Sequence, residues 1–165
     1  MWTRWIVSRK SGSPGTEGPA GWFDRLDSGP VAVDTVAWIY WIEDHSRFAP
    51  VLAPLFEAAD AGVARLVTSA LTLLEVLVVP LRAGNLELAA RYETLLTRSR
   101  GIEVVAIDNP VLRYAASLRA RYSIRTPDAL QLAAALARRC GAFLTNDRRL
   151  PDIPGLRVLR IDDLA

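Results

Sequence analysis

The sequence predicts an α/β protein, a three-layer α/β/α domain around a five-stranded parallel sheet. Short apolar segments alternate along the chain with longer helical patterns, which is typical of strands joined by helical crossovers. The short segments also read as continuous apolar runs, as expected for strands that helices cover on both faces. The chain has 165 residues, which is enough for one domain with a substantial core.

From Val31 onward the predicted elements follow one another with short connections. The predicted strands are VAV (31–33), ARLVT (64–68), IEVVAI (102–107), AFLT (142–145) and LRVLRI (156–161). The predicted helices cover residues 35–43, 49–61, 69–81, 85–99, 108–123 and the segment TPDALQLAAAL at 126–136. Apolar residues surround the last of these helices almost completely, so we expect it to be buried.

Residues at the predicted helix ends support these boundaries. Side chains that accept a hydrogen bond from a first-turn N–H are favoured as N-caps. The predicted caps are Ser69, Asn85, Asp108 or Asn109, and Thr126. Pro127 fits the first helical position, where its missing N–H removes no hydrogen bond. Gly62 and Gly84 are expected to end the second and third helices in the left-handed conformation.

Residues 1–29 differ in composition from the rest of the chain. The stretch SRKSGSPGTEGPAG is rich in Gly, Ser and Pro and has no periodicity, which predicts a flexible tail. The following segment, GWFDRL, carries aromatic side chains that can dock on the body. We therefore divide the chain into a tail, residues 1–29, and a folded domain, residues 30–165.

The composition narrows the classes of function and the compartment. Basic residues are nearly all arginine, with Lys10 the only lysine, and the pI is about 9.0. The single cysteine, Cys140, excludes an internal disulfide and fits a reducing compartment, and we expect it to be buried. No apolar run is long enough to span a bilayer, and the start MWTRWIV lacks a signal-peptide pattern. We expect a cytoplasmic protein without a membrane anchor.

Four acidic residues fall where this architecture builds its sites. Asp34 directly follows the first strand, and Asp147 comes two residues after the fourth, so both belong to the carboxyl edge of the sheet. Glu75 interrupts the apolar run LTLLEVLVV, and Asp128 opens the predicted buried helix. A buried carboxylate requires a partner or a proton, so each of these acids requires an explanation.

Each acid has a structural interpretation as well as a functional one. Asp34 and Asp147 can cap a helix or a turn, Asp128 can complement the helix dipole, and Glu75 can pair with an arginine. A shared site accounts for all four acids at once. Two unit charges about 4 Å apart repel by about 4 kcal/mol at an effective dielectric of 20. Such a cluster therefore implies a bound cation or protonation. Hard oxygen ligands suit Mg²⁺ or Mn²⁺, whose bound water is a nucleophile for phosphodiesters.

Four motifs of the sequence resemble the successive acidic motifs of the PIN domain. They are VDT (33–35), LLEVL (73–77), TPDALQLAAAL (126–136) and LTNDRRL (144–150). The resemblance covers about residues 31–161 and is closest to the VapC-type toxin ribonucleases of bacterial toxin–antitoxin systems. It implies that the metal-binding and catalytic acids are Asp34, Glu75, Asp128 and Asp147. Residues 30–165 would then be a PIN-like nuclease domain. The long segment before Val31 departs from typical members, which begin close to the first strand.

The resemblance also implies an activity, a cofactor and partners. The activity would be Mg²⁺-dependent endoribonuclease, with Mn²⁺ as a second possible ion, RNA as the substrate, a small antitoxin as a partner and a homodimer as the assembly. Thr35 and Thr145 match the hydroxyl positions that support the site, and Asn146 lies beside it.

Three arginines adjoin the acids. Arg125, Arg148 and Arg149 are candidates for contacts to RNA phosphates, and solvated charge is the alternative. The apolar excess of LTLLEVLVVPL and the amphipathic helix after it indicates either core packing or a groove for a second copy or an antitoxin.

Other functions remain compatible with the same fold class. They are a PIN-fold RNA-processing nuclease without an antitoxin, a non-catalytic binding module, and a structure-specific DNA nuclease. Receiver domains and phosphotransferases usually need a lysine at the strand edge, and the body of this chain has none. His45 is the only histidine and lies in a polar loop, so we expect it to be solvated rather than a general base.

Overall fold

The computed structural model describes Trp22 and residues 29–165. The strands are β1 (Val31–Val33), β2 (Leu66–Ser69), β3 (Ile102–Val105), β4 (Ala142–Thr145) and β5 (Arg157–Arg160). The helices are α1 (Thr35–Ile42), α2 (Ala49–Asp60), α3 (Ala70–Arg82), α4 (Leu86–Arg98), α5 (Asn109–Tyr122) and α6 (Thr126–Ala137), and a 3₁₀ turn covers Ile161–Leu164. The predicted α/β architecture is confirmed, and most boundaries move by only one or two residues.

The five strands form one parallel sheet in the order β3-β2-β1-β4-β5. The central strand β1 pairs with β2 through Val31 and Leu66 and with β4 through Ala32 and Phe143. The chain builds β2 and β3 on one side of β1 and then returns to build β4 and β5 on the other. The strand order therefore reverses between β1 and β4, and the carboxyl ends of these two strands border a crevice.

Two hydrophobic cores lie on the two faces of the sheet. Alternate residues of β1 contribute to different cores, with Val31 and Val33 in one and Ala32 in the other, as the two-residue period of a strand requires. The first core packs under α1–α4 around the fully buried Trp38, and the second packs under α5 and α6. Both faces are thus covered, which explains the continuous apolar runs in the strand sequences.

Three of the predicted helix caps are confirmed. The side chains of Ser69, Asn85 and Asp108 accept hydrogen bonds from the N–H groups of Leu71, Leu88 and Val111. These bonds satisfy first-turn donors that have no partner within the helix. Gly62 and Gly84 follow helices with φ angles of 75° and 67°, in the left-handed region where glycine carries no side-chain strain.

The prediction that Thr126 caps α6 is wrong. The helix already begins at Thr126, and its N-cap is Arg125, whose extended backbone offers its carbonyl to the N–H of Ala129 at 3.0 Å. Pro127 has no N–H, so one fewer first-turn donor needs a side-chain acceptor. The Arg125 side chain is therefore not required as a cap and is directed toward Asp128 instead.

Trp22 lies in the segment that the composition assigns to the tail. Its indole N–H donates to the carbonyl of Val51 in α2 at 2.9 Å, and its ring packs against the first core. One aromatic side chain of GWFDRL therefore docks on the body, as expected. Phe23 and the other residues of 1–28 lie outside the described residues, so the division of the chain at residue 29 stays a prediction.

Two expectations from the composition concern burial and the membrane. Cys140 is 3% exposed, and burial raises the pKa of its thiol to about 12, so the predicted burial is confirmed. In the part of the chain that the structure describes, no helix combines the length and the apolar character that crossing a bilayer requires.

A chain shortened to begin at Pro30 is expected to fold but to melt below the full chain. The truncation removes the Trp22 hydrogen bond and its packing, together worth about 1–3 kcal/mol. Thermal melts of the full chain, the truncated chain and Trp22→Ala in the full chain measure this effect. Equal losses in the last two assign the contribution of residues 1–29 to Trp22, whereas a much larger loss on truncation would show that other residues of this segment belong to the body.

Candidate active site

A cleft lies at the carboxyl edge of the sheet, above the ends of β1 and β4. It is open to solvent and has a volume of about 300 Å³. Its lining consists of Asp34, Thr35, Val36, Ile39, Glu75, Arg125, Pro127, Asp128 and Asp147. The fold thus brings together all four predicted acids from four separate segments: the end of β1, the middle of α3, the first turn of α6 and the loop after β4.

Asp34 is the most constrained of the four acids. One carboxylate oxygen accepts from the backbone N–H of Thr35 at 2.7 Å, and the other accepts from the Thr145 hydroxyl at 2.6 Å. Burial raises the pKa of Asp34 despite these two hydrogen bonds, and the negative charges of Glu75 and Asp128 raise it further. Asp34 therefore caps α1, and its negative charge destabilises the folded cleft.

Thr145 connects two of the acids. Its hydroxyl donates to Asp34 and accepts from the backbone N–H of Asp147 at 3.0 Å. A single threonine at the end of β4 thus fixes the Asp34 side chain and the start of the loop that carries Asp147. Thr145 therefore contacts two of the four acids, and the supporting role that the resemblance implies for it stays a prediction.

Glu75 is held by a threonine. The Thr35 hydroxyl donates to a carboxylate oxygen of Glu75 at 2.5 Å. Beneath this pair lies a buried polar group that sequence reasoning missed, formed by Thr68, Thr72 and Gln131. The available signal was Gln131 itself, which is the only polar side chain of α6 after Asp128. A lone buried polar residue requires partners, but the sequence does not name them.

Two arginines pair with the remaining acids. The Arg125 guanidinium donates to both oxygens of Asp128, at 2.9 and 3.1 Å, and reaches Asp147 at 3.4 Å. Arg149 donates to both oxygens of Asp147 at 2.9 and 2.7 Å, and this contact lowers the pKa of Asp147 to about 2. Both arginine side chains are otherwise exposed, so solvent reaches them from the mouth of the cleft.

The remaining predicted residues make contacts outside the cleft. The Asn146 side chain accepts from the backbone N–H of Asp162 at 2.9 Å, so it holds the C-terminal 3₁₀ turn. Arg148 is exposed and reaches a carboxylate oxygen of Asp162 at 3.7 Å. His45 lies exposed in the loop between α1 and α2, and its ring nitrogen accepts from the N–H of Arg47. These three side chains do not line the cleft.

The donor set of the cleft fits a hard divalent cation. Among the described residues, no three acidic, histidine or cysteine side chains converge closely enough to enclose an ion by themselves. Mg²⁺ does not require such a cage, because it retains several waters and is bound through one or two carboxylates. The raised pKa of Asp34 and the position of Arg125 between Asp128 and Asp147 both indicate a site where positive charge is favoured.

Comparison with known families identifies the fold. The family model of the PIN domain matches residues 31–156. The chain belongs to the PIN domain family. The resemblance that the four acidic motifs indicated is therefore confirmed, and the match spans all four acids of the cleft. No curated protein matches the sequence of this PIN domain.

Solved structures share the architecture of this PIN domain at low sequence identity. VapBC2 from Rickettsia felis, bound to a promoter DNA fragment, is 18% identical, with a TM-score of 0.61 over 79% of this chain and 97% of that one. A toxin–antitoxin complex from Klebsiella pneumoniae is 23% identical, with a TM-score of 0.57 over 76% and 94%. VapBC-5 from Mycobacterium tuberculosis is also 23% identical, with a TM-score of 0.53 over 80% and 98%. The TM-scores show a shared fold, and at identities this low the similarity shows the fold alone.

Removing charge at Asp34 and at Asp147 is expected to shift stability in opposite directions. With EDTA at pH 7, Asp34→Asn should melt at the same temperature as wild type or higher, because the raised pKa of Asp34 means that folding disfavours its charge. Asp147→Asn should melt lower, because a pKa of about 2 means that folding favours its charge. Each kcal/mol corresponds to about 2–4 °C for a chain of this size.

Thermal melts with a matched control check these signs. Asp60→Asn, at an exposed acid outside the cleft, should leave the melting temperature nearly unchanged. The Asp147 contribution is present above pH 3.8 and should disappear as the pH falls toward about 2. Adding Mg²⁺ should raise the melting temperature of wild type more than that of Asp34→Asn. Equal metal shifts in the two proteins would contradict a role for Asp34 in cation binding.

Proposed function

We propose that this PIN domain is a Mg²⁺-dependent endoribonuclease and the toxin of a toxin–antitoxin pair. The observation that supports this most is the convergence of Asp34, Glu75, Asp128 and Asp147 in one open cleft at the strand-order reversal. Acids that served only as caps would have no reason to meet there. Mn²⁺ is a second ion that the same oxygen ligands suit.

The proposed mechanism assigns orientation to the surrounding residues. The four acids would hold Mg²⁺, which would supply an activated water and stabilise negative charge on the phosphodiester. The Thr35 N–H and the Thr145 hydroxyl hold Asp34, and the Thr35 hydroxyl holds Glu75. These hydrogen bonds orient Asp34 and Glu75 before any ligand arrives, so little ordering of these two side chains remains to be done on binding. Asp128 and Asp147, at the mouth, complete the set of metal-binding acids.

The arginines of the cleft suit the RNA backbone. The planar guanidinium groups of Arg125 and Arg149 lie at the mouth of the cleft. They donate hydrogen bonds to Asp128 and Asp147, respectively. An arriving phosphate offers the same oxygen geometry as a carboxylate, so either guanidinium can transfer its hydrogen bonds to it. Arg148 is exposed nearby and is a candidate for an outer phosphate contact. This assignment makes RNA the proposed substrate without specifying its sequence.

An exposed apolar face supports the proposed protein partners. On α3, Leu74, Val78 and Leu81 are 61%, 41% and 54% exposed, and their spacing places them on one side of the helix. Leu86, at the start of α4, is also exposed, at 69%. Exposed apolar side chains grouped in this way are typical of interaction surfaces. A small antitoxin and a second copy of the chain are the proposed occupants, and the similar solved structures of VapBC proteins favour the antitoxin.

Isosteric changes to the acids should abolish RNA cleavage while preserving the fold. Asp34→Asn, Glu75→Gln and Asp128→Asn should each lower the cleavage rate by about 100-fold or more, because each removes a proposed metal ligand. Asp147→Asn should have a smaller effect, since two arginines, Arg149 and Arg125, already pair with Asp147, whereas among the described residues only Arg125 pairs with Asp128. Cleavage of labelled single-stranded RNA with Mg²⁺, and again with EDTA, measures these rates.

Matched controls separate catalysis from general effects of charge. Glu57→Gln and Asp60→Asn change exposed acids of α2, outside the cleft, and should retain the wild-type rate. Full activity of Asp128→Asn, or cleavage that persists in EDTA, would overturn the proposed metal-dependent mechanism. Binding of RNA without any cleavage by wild type would favour a non-catalytic binding module.

Replacing the Arg125 guanidinium should weaken the affinity for RNA and strengthen the affinity for the metal. Arg125→Gln should weaken RNA binding about equally for all sequences and reduce the slope of affinity against salt by about one. The same change should tighten Mn²⁺ binding in the absence of RNA, because a competing positive charge leaves Asp128. Arg98→Gln, at the exposed end of α4, is the control. Unchanged RNA affinity and salt slope in Arg125→Gln would remove Arg125 from the RNA interface.

A further inference from the structure

Gln131 lies below the floor of the cleft, one helical turn after Asp128. It is 4% exposed, and its amide makes three hydrogen bonds. Its oxygen accepts from the backbone N–H of Ser69 at 3.3 Å, and its nitrogen donates to the hydroxyls of Thr35 at 3.0 Å and Thr72 at 2.7 Å. The amide thus connects the end of β2 with two helices of the site: α1, which follows Asp34, and α3, which contains Glu75.

The orientation of the Gln131 amide follows from its partners. The backbone N–H of Ser69 can only donate, so the amide atom facing it must be the oxygen. The NH₂ group therefore faces the two threonines, and both hydroxyls must accept from it. A glutamine whose orientation is fixed in this way determines where each threonine can send its own proton.

The Thr35 proton then has one favoured destination. Thr35 already accepts from Gln131, and its other neighbours are Thr72 at 3.1 Å and the Glu75 carboxylate at 2.5 Å. The carboxylate is closer and charged, so it forms the stronger hydrogen bond. The Gln131 amide thus serves two hydroxyls that lie 3.1 Å apart, and of these only Thr35 contacts an acid of the cleft.

The hydrogen-bonded branch through Thr72 ends on the backbone. The Thr72 hydroxyl is 2.8 Å from that of Thr68, and Thr68 donates to the carbonyl of Val33 at 2.9 Å. This branch joins α3 and β2 to β1 without ending on any of the four acids. It therefore provides an internal control, because the same glutamine serves a branch that ends at the site and a branch that ends in the scaffold.

We infer that Gln131 is a positioning residue, which acts through the Thr35 hydroxyl to hold the Glu75 carboxylate in the orientation for metal binding. The inference rests on the proposed function, since it concerns the same cleft. Without the Gln131 donor, the Thr35 oxygen loses the hydrogen bond that helps to hold it in place, so the partner of Glu75 is less firmly positioned. Hydrogen bonds of this outer kind typically change metal affinity by about 10–100-fold.

The test measures Mn²⁺ affinity of the full chain by isothermal titration calorimetry, without RNA. Gln131→Met keeps the length of the side chain but removes both donors, and it should raise the Kd for Mn²⁺ by about tenfold. Thr35→Val should raise the Kd similarly, whereas Thr35→Ser retains the hydroxyl and should bind Mn²⁺ like wild type. Thr72→Val is the matched control, because it cuts the branch that ends at Val33 and should leave the Kd nearly unchanged.

Thermal melts accompany each titration so that loss of folding is not mistaken for loss of affinity. Gln131→Met and Thr72→Val should both melt below wild type, because each leaves buried donors without partners. Should Gln131→Met not fold, Gln131→Glu tests the same point, since its carboxyl oxygen draws the Thr35 proton away from Glu75. This variant should also raise the Kd for Mn²⁺.

The outcomes distinguish the inference from the proposed function. Wild type that binds Mn²⁺ with a Kd equal to that of folded Gln131→Met or Gln131→Glu overturns the positioning role alone. An equal rise of the Kd in Thr72→Val also overturns it, because the effect would then belong to the scaffold. Wild type that binds no Mn²⁺ overturns the proposed metal site and the positioning role together.

Discussion

The pairing of β1 with β4 is the contact on which the cleft depends. These strands are far apart in sequence, and only the return of the chain across the sheet makes them neighbours. The N–H of Asp34 continues their ladder by donating to the carbonyl of Leu144 at 2.9 Å. The next residue of β4, Thr145, then meets the Asp34 side chain. A one-residue slip between the strands would turn Thr145 to the opposite face and separate it from Asp34.

The carboxylates of the cleft are held in two different ways. Asp34 and Glu75 are held by hydroxyl and backbone donors, which orient a carboxylate without cancelling its charge. Asp128 and Asp147, nearer the mouth, are paired with exposed guanidinium groups. The first arrangement fixes the orientation of the two carboxylates and leaves their negative charge uncompensated. The second arrangement neutralises the carboxylates with guanidinium groups, whose hydrogen bonds a phosphate could accept instead.

Much of the fold and part of the site could be predicted because their signals are local. The ends of the strands are visible in the apolar pattern, so the sequence alone places Asp34 and Asp147 at the carboxyl edge of the sheet. The capping of α6 could not be predicted, because residue type favours Thr126, whereas the N-cap is Arg125, whose carbonyl and not its side chain bonds to the helix. The roles of Gln131 and Thr72 were also hidden, since their partners come from distant segments.

The arginines that pair with the acids determine the net charge of the cleft, and hence how many cations it would favour. With all four carboxylates ionised and Arg125 and Arg149 in place, the net charge of the cleft would be −2, which a single divalent ion would cancel. A second divalent ion would make the cleft positive for as long as both arginines stay docked. The phosphodiester itself carries the negative charge that balances such an excess. In the proposed nuclease, ion stoichiometry and substrate occupancy would therefore be coupled, and a second ion would be favoured only together with bound RNA.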